Sequence, residues 1–122
     1  MIIAIDFDGT VVDHRYPCVG PDVPNAVKTL SALCDRGDKL ILWTMRSGRY
    51  LDDAVVWFAK YKILLYGIQC NPVQHKWTES PKAYAQLYID DAAFGAPLLR
   101  YPDFERPCID WYAVSDVLFK AK

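Results

Sequence analysis

Two runs in this chain, Ile2-Ile3-Ala4-Ile5 and Leu40-Ile41-Leu42-Trp43, are apolar at every position. They lack the every-second-residue polarity of a strand with one wet face. A strand that can expose neither face belongs inside a sheet covered on both sides, and such sheets are almost always parallel. Parallel neighbours need long crossovers, so helices must lie between the strands. The sequence supplies them. Asp22 and Pro24 mark a helix start, Val27, Leu30, Leu33 and Cys34 recur at helical spacing, and Arg36-Gly37 closes the segment. After the second apolar run come Thr44-Met45-Arg46-Ser47-Gly48 and then Leu51, Ala54, Val55 and Phe58 at i, i+3, i+4 and i+7.

Further along the pattern weakens. Ile63 to Ile68 reads as a third strand, Asn71-Pro72 as a turn, and Leu87-Tyr88-Ile89 as a fourth strand ending in Asp90-Asp91. The stretch from Val73 to Ala85 carries no clear period. Asp110 is placed to cap a last helix bearing Trp111, Val114 and Leu118, after a loop or short edge strand between Pro102 and Pro107. With 122 residues, 52% of them hydrophobic, the chain has enough apolar surface for one core and too little length for two. Residues 1–122 are therefore expected to form a single α/β domain. Its expected architecture is a three-layer α/β/α, Rossmann-like, doubly wound parallel sheet.

Charge narrows the function classes. A net charge of −1 gives no bulk cationic field to draw nucleic acid or anionic lipid. The longest stretch free of charged residues, Ile63 to His75, is 13 residues long and interrupted by Gly67 and Pro72, too short to cross a bilayer. The first residues meet Asp6 without a basic lead, unlike a secretory signal. Cys18, Cys34, Cys70 and Cys108 form no C-x-x-C pair and read as reduced thiols, so a cytoplasmic location is expected. There is no Gly-rich dinucleotide fingerprint and no P-loop, and His14 and His75 read as loop residues.

In an open parallel sheet, ligands bind beyond the carboxyl ends of the strands. Asp6 and Asp8 follow the first strand, Thr44 the second, and Asp90 and Asp91 the fourth. Two carboxylates about 4 Å apart repel by about 4 kcal/mol at an effective dielectric near 20, so such a cluster needs protons, a cation or both. Oxygen donors without adjacent His or Cys favour Mg²⁺. A carboxylate can be the attacking nucleophile, and a neutralised acidic pocket suits phosphoryl transfer. Arg46 offers a planar fork for a substrate anion, and a lysine beside the acids would help to neutralise the site.

Asp6-Phe7-Asp8-Gly9-Thr10 after a strand resembles the first motif of the haloacid dehalogenase superfamily. Leu40 to Thr44 is similar to its second motif, Lys82, with Lys76 as a competing candidate, to its phosphate-binding lysine, and Leu87 to Asp91 to its paired-acid motif, so the likeness runs from Ile2 to about Leu98. The resemblance implies a magnesium-dependent phosphatase that hydrolyses a phosphomonoester. Asp6 is then the nucleophile that forms an aspartyl-phosphate, and Asp8 is the general acid and base whose main-chain carbonyl also reaches the metal. Thr44 and Lys82 hold the phosphoryl group, Asp91 ligates magnesium and Asp90 stands behind it. The intervals of 34 residues from Thr10 to Thr44 and 38 from Thr44 to Lys82 leave no room for a cap domain. A capless site implies an exposed or small phosphate ester, or a second copy of the chain as cover, with Val12 to Pro17 where the family has a flap. Two other readings remain at this level. One is a non-catalytic, magnesium-binding phosphoacceptor module, and the other a nucleotide or nucleic-acid end phosphatase, which the net charge disfavours.

Overall fold

In the computed structural model, which describes residues 1–120, the two apolar runs lie side by side. The elements run β1 (Ile2–Ile5), α1 (Ala26–Asp35), β2 (Lys39–Leu42), α2 (Gly48–Lys60), β3 (Gly67–Ile68), β4 (Leu87–Ile89), β5 (Leu98–Leu99), β6 (Cys108–Ile109) and α3 (Trp111–Leu118). The first four strands form one parallel sheet in the order β3-β2-β1-β4. This is a small Rossmann-like α/β fold. Among the described residues, no helix is long and apolar enough to cross a membrane.

Strand order dictates where the connections go. The chain steps in one direction from β1 through β2 to β3, so right-handed crossovers put α1 and α2 on the same face, and the return to β4 crosses the other. Burial agrees. Ile3, Ile5, Leu40 and Leu42 share one buried cluster with Leu30 and Leu33 of α1, Trp57 and Phe58 of α2, and Trp111 of α3. Ala4 and Ile41, which alternate with them and face each other in register, are buried outside that cluster. Residues 69–86 connect β3 to β4 as coil with one 3-10 turn, Gln74–Lys76. Two buried amides take the place of helical bonds there. Asn71 Nδ2 donates to the Tyr84 carbonyl at 3.0 Å, and Gln74 Nε2 donates to the carbonyls of Ser80 and Lys82 at 3.0 and 2.9 Å.

Some boundaries differ from the sequence expectation for identifiable reasons. α1 starts at Ala26, because Asp22 accepts instead from Trp57 Nε1 at 2.8 Å and from the Tyr61 hydroxyl. Its exit at Arg36-Gly37 is as expected, with Gly37 at φ 96°. The third strand shrinks to Gly67–Ile68, since Lys62 at φ 58° and the Ile63 N–H bonded to the Phe58 carbonyl belong to the exit of α2. Asp110 caps α3 as the sequence suggests, accepting from the N–H groups of Tyr112 and Ala113 at 3.1 and 3.2 Å. The antiparallel β5-β6 pair, with Leu98 opposite Ile109, was not foreseen.

Candidate active site

β1 hands over to a tight loop. Thr10 and Val11 N–H groups turn back to the Phe7 carbonyl at 3.1 and 2.9 Å, and Gly9, at φ 81°, donates to the Val12 carbonyl at 2.7 Å. This turn buries Thr10 completely. Its hydroxyl has one hydrogen to give. Asp6 Oδ2 at 3.1 Å is nearer than Asp91 Oδ1 at 3.4 Å, and Thr10 Oγ1 in turn accepts the Asp91 N–H at 3.2 Å. Thr10 thereby ties the end of β1 to the end of β4.

The tie brings the acids together. Asp6, Asp90 and Asp91 each offer a carboxylate oxygen within 4.8 Å of the others. Burial first and the charge of Asp90 next push the Asp6 carboxyl up to about 8, the Phe7 N–H bond opposing them and the smaller hydrogen bond and charge of Asp91 adding to the rise. A divalent cation among these oxygens relieves the same repulsion, and an all-oxygen donor set suits a hard ion. Asp90 belongs to the triangle itself, although one of its oxygens also accepts the Ala92 N–H at 2.8 Å.

The Asp8 carboxylate lies outside this group. It is held by Arg46 in a two-point pair, Nε to Oδ2 and Nη2 to Oδ1, both at 2.8 Å. The other guanidinium hydrogens go to the carbonyls of Pro17, Tyr50 and Cys18 at 3.2, 3.2 and 2.8 Å. All five donors are therefore used, and Arg46 is 1% exposed. This corrects the expectation that Arg46 binds a substrate anion, since it has no free N–H to offer.

Thr44 is half-buried at the end of β2, with its hydroxyl accepting the Arg46 N–H at 3.2 Å. Its backbone is gripped by Gln69, whose Oε1 accepts the Thr44 N–H at 2.8 Å and whose Nε2 donates to the Thr44 carbonyl. A cleft of about 280 Å³ on the Ala4 side of the sheet is lined by Asp6, Asp90, Trp43, Tyr88 and Lys82. Lys82 is exposed, with Nζ 5.5 Å from the centre of the Tyr88 ring. Lys76, at the end of the 3-10 turn, does not line this cleft. The structure thus brings Lys82 and Asp6 to one cavity and leaves Lys76 out.

Sequence reasoning missed the role of His14. Its Nε2 is 3.4 Å from Asp91 Oδ2 and 3.3 Å from the Pro107 carbonyl, while Nδ1 is 2.7 Å from Arg106 Nη2. An arginine can only donate, so Nδ1 accepts and Nε2 carries the hydrogen. His14 therefore acts here as a donor toward Asp91 or Pro107. Its neighbour Asp13 is a fully buried carboxylate that accepts from the N–H groups of His14 and Glu105 and from Arg15 Nε, at 2.7, 3.0 and 3.0 Å. Burial alone raises an acid, but these bonds and the Arg15 charge outweigh it and hold Asp13 below the usual carboxylate range.

Because the folded value is the lower one, the stabilisation by Asp13 is complete above about pH 3.9 and vanishes as pH falls through that folded value. Asp13→Ala is expected to cost about 1–3 kcal/mol at pH 7, the range for leaving buried donors such as the His14 and Glu105 N–H groups without an acceptor, since Arg15 itself is 38% exposed. Urea melts at pH 7 and pH 3 check this, and an undiminished difference at pH 3 contradicts it.

A scan against protein-family models and a search of curated proteins both find no match. Among solved structures, the chain is similar to a conserved protein from Bacteroides thetaiotaomicron. The two are 36% identical with a TM-score of 0.81, over 100% of this chain and 92% of the other. Identity at that level over the full length, with the same course of the backbone, means that this chain belongs to the same family as the Bacteroides protein.

Proposed function

We propose that this protein is a magnesium-dependent phosphomonoester hydrolase of the haloacid dehalogenase type. The observation that carries the reading is the convergence of Asp6, Asp90 and Asp91 at the strand ends, with Lys82 lining the same cleft as Asp6. The fold reading that goes with it is a capless three-layer α/β/α sandwich. Its layer on the Ala4 side is reduced to the coil of residues 69–86.

Asp6 and Asp91, with Asp90 beside them, would hold the ion, and magnesium would supply positive charge that offsets the charge of the phosphoryl group. An Asp6 oxygen attacks phosphorus, the bond from phosphorus to the leaving oxygen breaks, and Asp8 gives that oxygen its proton. Asp8 then takes a proton from the water that attacks the aspartyl-phosphate, which frees Asp6 and inorganic phosphate. Lys82 pairs with a phosphoryl oxygen, and the Thr44 hydroxyl donates to another. Substrates are small or exposed phosphate esters, because no cap covers the cleft among the described residues. A second copy of the chain is the cover that fits a capless site, and a cytoplasmic location fits the four unpaired thiols.

The engagement of both Asp8 oxygens by Arg46 favours a second reading, a phosphoacceptor module without turnover. A panel of aryl, sugar and nucleoside phosphates with and without EDTA separates the two. The hydrolase reading expects turnover that EDTA abolishes and that Asp8→Asn lowers by about 10²–10⁴-fold. Metal-independent turnover removes it. Labelling of Asp6 by acetyl phosphate, equal in wild type and Asp8→Asn and without turnover of any ester, establishes the second.

A further inference from the structure

Arg46 is a buried charge that the proposed reaction does not use. Its acceptors come from three separate places: Asp8 in the loop after β1, the Pro17 and Cys18 carbonyls in the loop that follows, and the Tyr50 carbonyl in the first turn of α2. The Phe7 and Tyr16 rings lie 5.0 and 5.2 Å from the guanidinium carbon. A planar group held at every N–H and flanked by rings has one orientation available, and a lysine in its place could not reproduce the fork. Its partners are not equally fixed. Tyr16 is 59% exposed, Cys18 is exposed, and the Asp8 side chain keeps 21% of its surface. The chain from solvent-facing loop to Asp8 therefore runs through one rigid buried group.

We propose that Arg46 is a positioning residue that makes the 16–18 loop set the orientation of Asp8. This rests on the hydrolase reading above. While the loop carbonyls hold the guanidinium, each Asp8 oxygen is turned toward Arg46 and keeps a lone pair for proton exchange. A change in the loop that displaces the Pro17 or Cys18 carbonyl moves the guanidinium as a unit and the Asp8 carboxylate with it. The loop thus tunes proton delivery to the leaving oxygen without touching phosphate or metal.

The test compares Arg46→Lys and Tyr16→Ala with wild type on phenyl phosphate and on an alkyl phosphate such as glycerol phosphate. The readouts are kcat, the half-saturating Mg²⁺ concentration and competitive inhibition by inorganic phosphate. Arg46→Lys is expected to lower kcat about 10–10³-fold, more for the alkyl ester, whose leaving oxygen depends more on the proton. The Mg²⁺ and phosphate constants are expected to stay within about twofold. Tyr16→Ala, a surface change that spares the fold if Arg46→Lys does not, is expected to move the aryl-to-alkyl ratio in the same direction by about 3–10-fold. An unchanged ratio in both folded variants overturns the inference, as does a kcat loss matched by an equal loss of Mg²⁺ affinity. If wild type lacks metal-dependent turnover, or Asp6→Asn retains it, the hydrolase reading itself fails and the inference falls with it.

Discussion

Asp6→Asn is expected to lower phosphate release by on the order of 10⁴-fold or more without lowering stability. The two halves of that expectation come from different physics. Activity falls because an amide oxygen is a poor nucleophile and cannot form the acyl-phosphate. Stability holds because Asn keeps the shape of the carboxyl, and its oxygen can still accept from Thr10 as Asp6 Oδ2 does at 3.1 Å. It also removes one of three crowded acids, at a position where burial and the neighbouring carboxylates already favour the neutral form up to about pH 8. A structural role for Asp6 gives the opposite pairing, with the melting temperature falling and activity changing little. Phosphate release and thermal unfolding of the same preparation distinguish the two, and more than a tenth of the wild-type rate in the variant sinks the assignment.

The other large effect is expected at Gly9. An added Cβ would lie 2.1 Å from His14 Cε1 and 2.6 Å from Asp91 Oδ2, on a backbone at φ 81°. Gly9→Ala therefore forces His14 or Asp91 aside and adds left-handed strain, for a loss of about 2–4 kcal/mol in stability. Metal affinity and turnover are expected to fall together by about tenfold or more, the range seen when groups that orient metal ligands are disturbed. Gly37 is the control. It has φ 96° with nothing within 4 Å of its Cβ position, so Gly37→Ala carries only the backbone cost of about 1 kcal/mol and leaves activity alone. Equal effects of the two substitutions in urea melts and metal titrations show that the contact with His14 and Asp91 is immaterial.

The legible part of this protein is the part fixed by short-range pattern. β1, β2 and β4 are apolar runs with nothing else to become, and residues at their ends share one sheet edge once the strands are parallel. Asp6, Asp90 and Asp91 are therefore grouped by strand pattern alone. What stayed hidden depends on partners distant in sequence. Arg46 looks like a surface arginine until Asp8, 38 residues away, is found against it. Gln69 and His14 act through a backbone grip and a tautomer that no spacing encodes. The coil of residues 69–86 lacks a period because buried Asn71 and Gln74 satisfy its backbone instead of helical bonds. β5 and β6, two residues each, are too short for any alternation to register.

The central claim is that Asp6, Asp90 and Asp91 jointly hold a divalent cation, and binding of a paramagnetic stand-in tests it without knowledge of the substrate. In an electron paramagnetic resonance titration with Mn²⁺, wild-type protein is expected to quench the free-ion signal at one equivalent. Excess Mg²⁺ is expected to restore that signal, and both Asp6→Asn and Asp91→Asn to weaken the quenching at least tenfold. A free-ion signal undiminished by wild-type protein, or quenched equally by the two variants, contradicts the account.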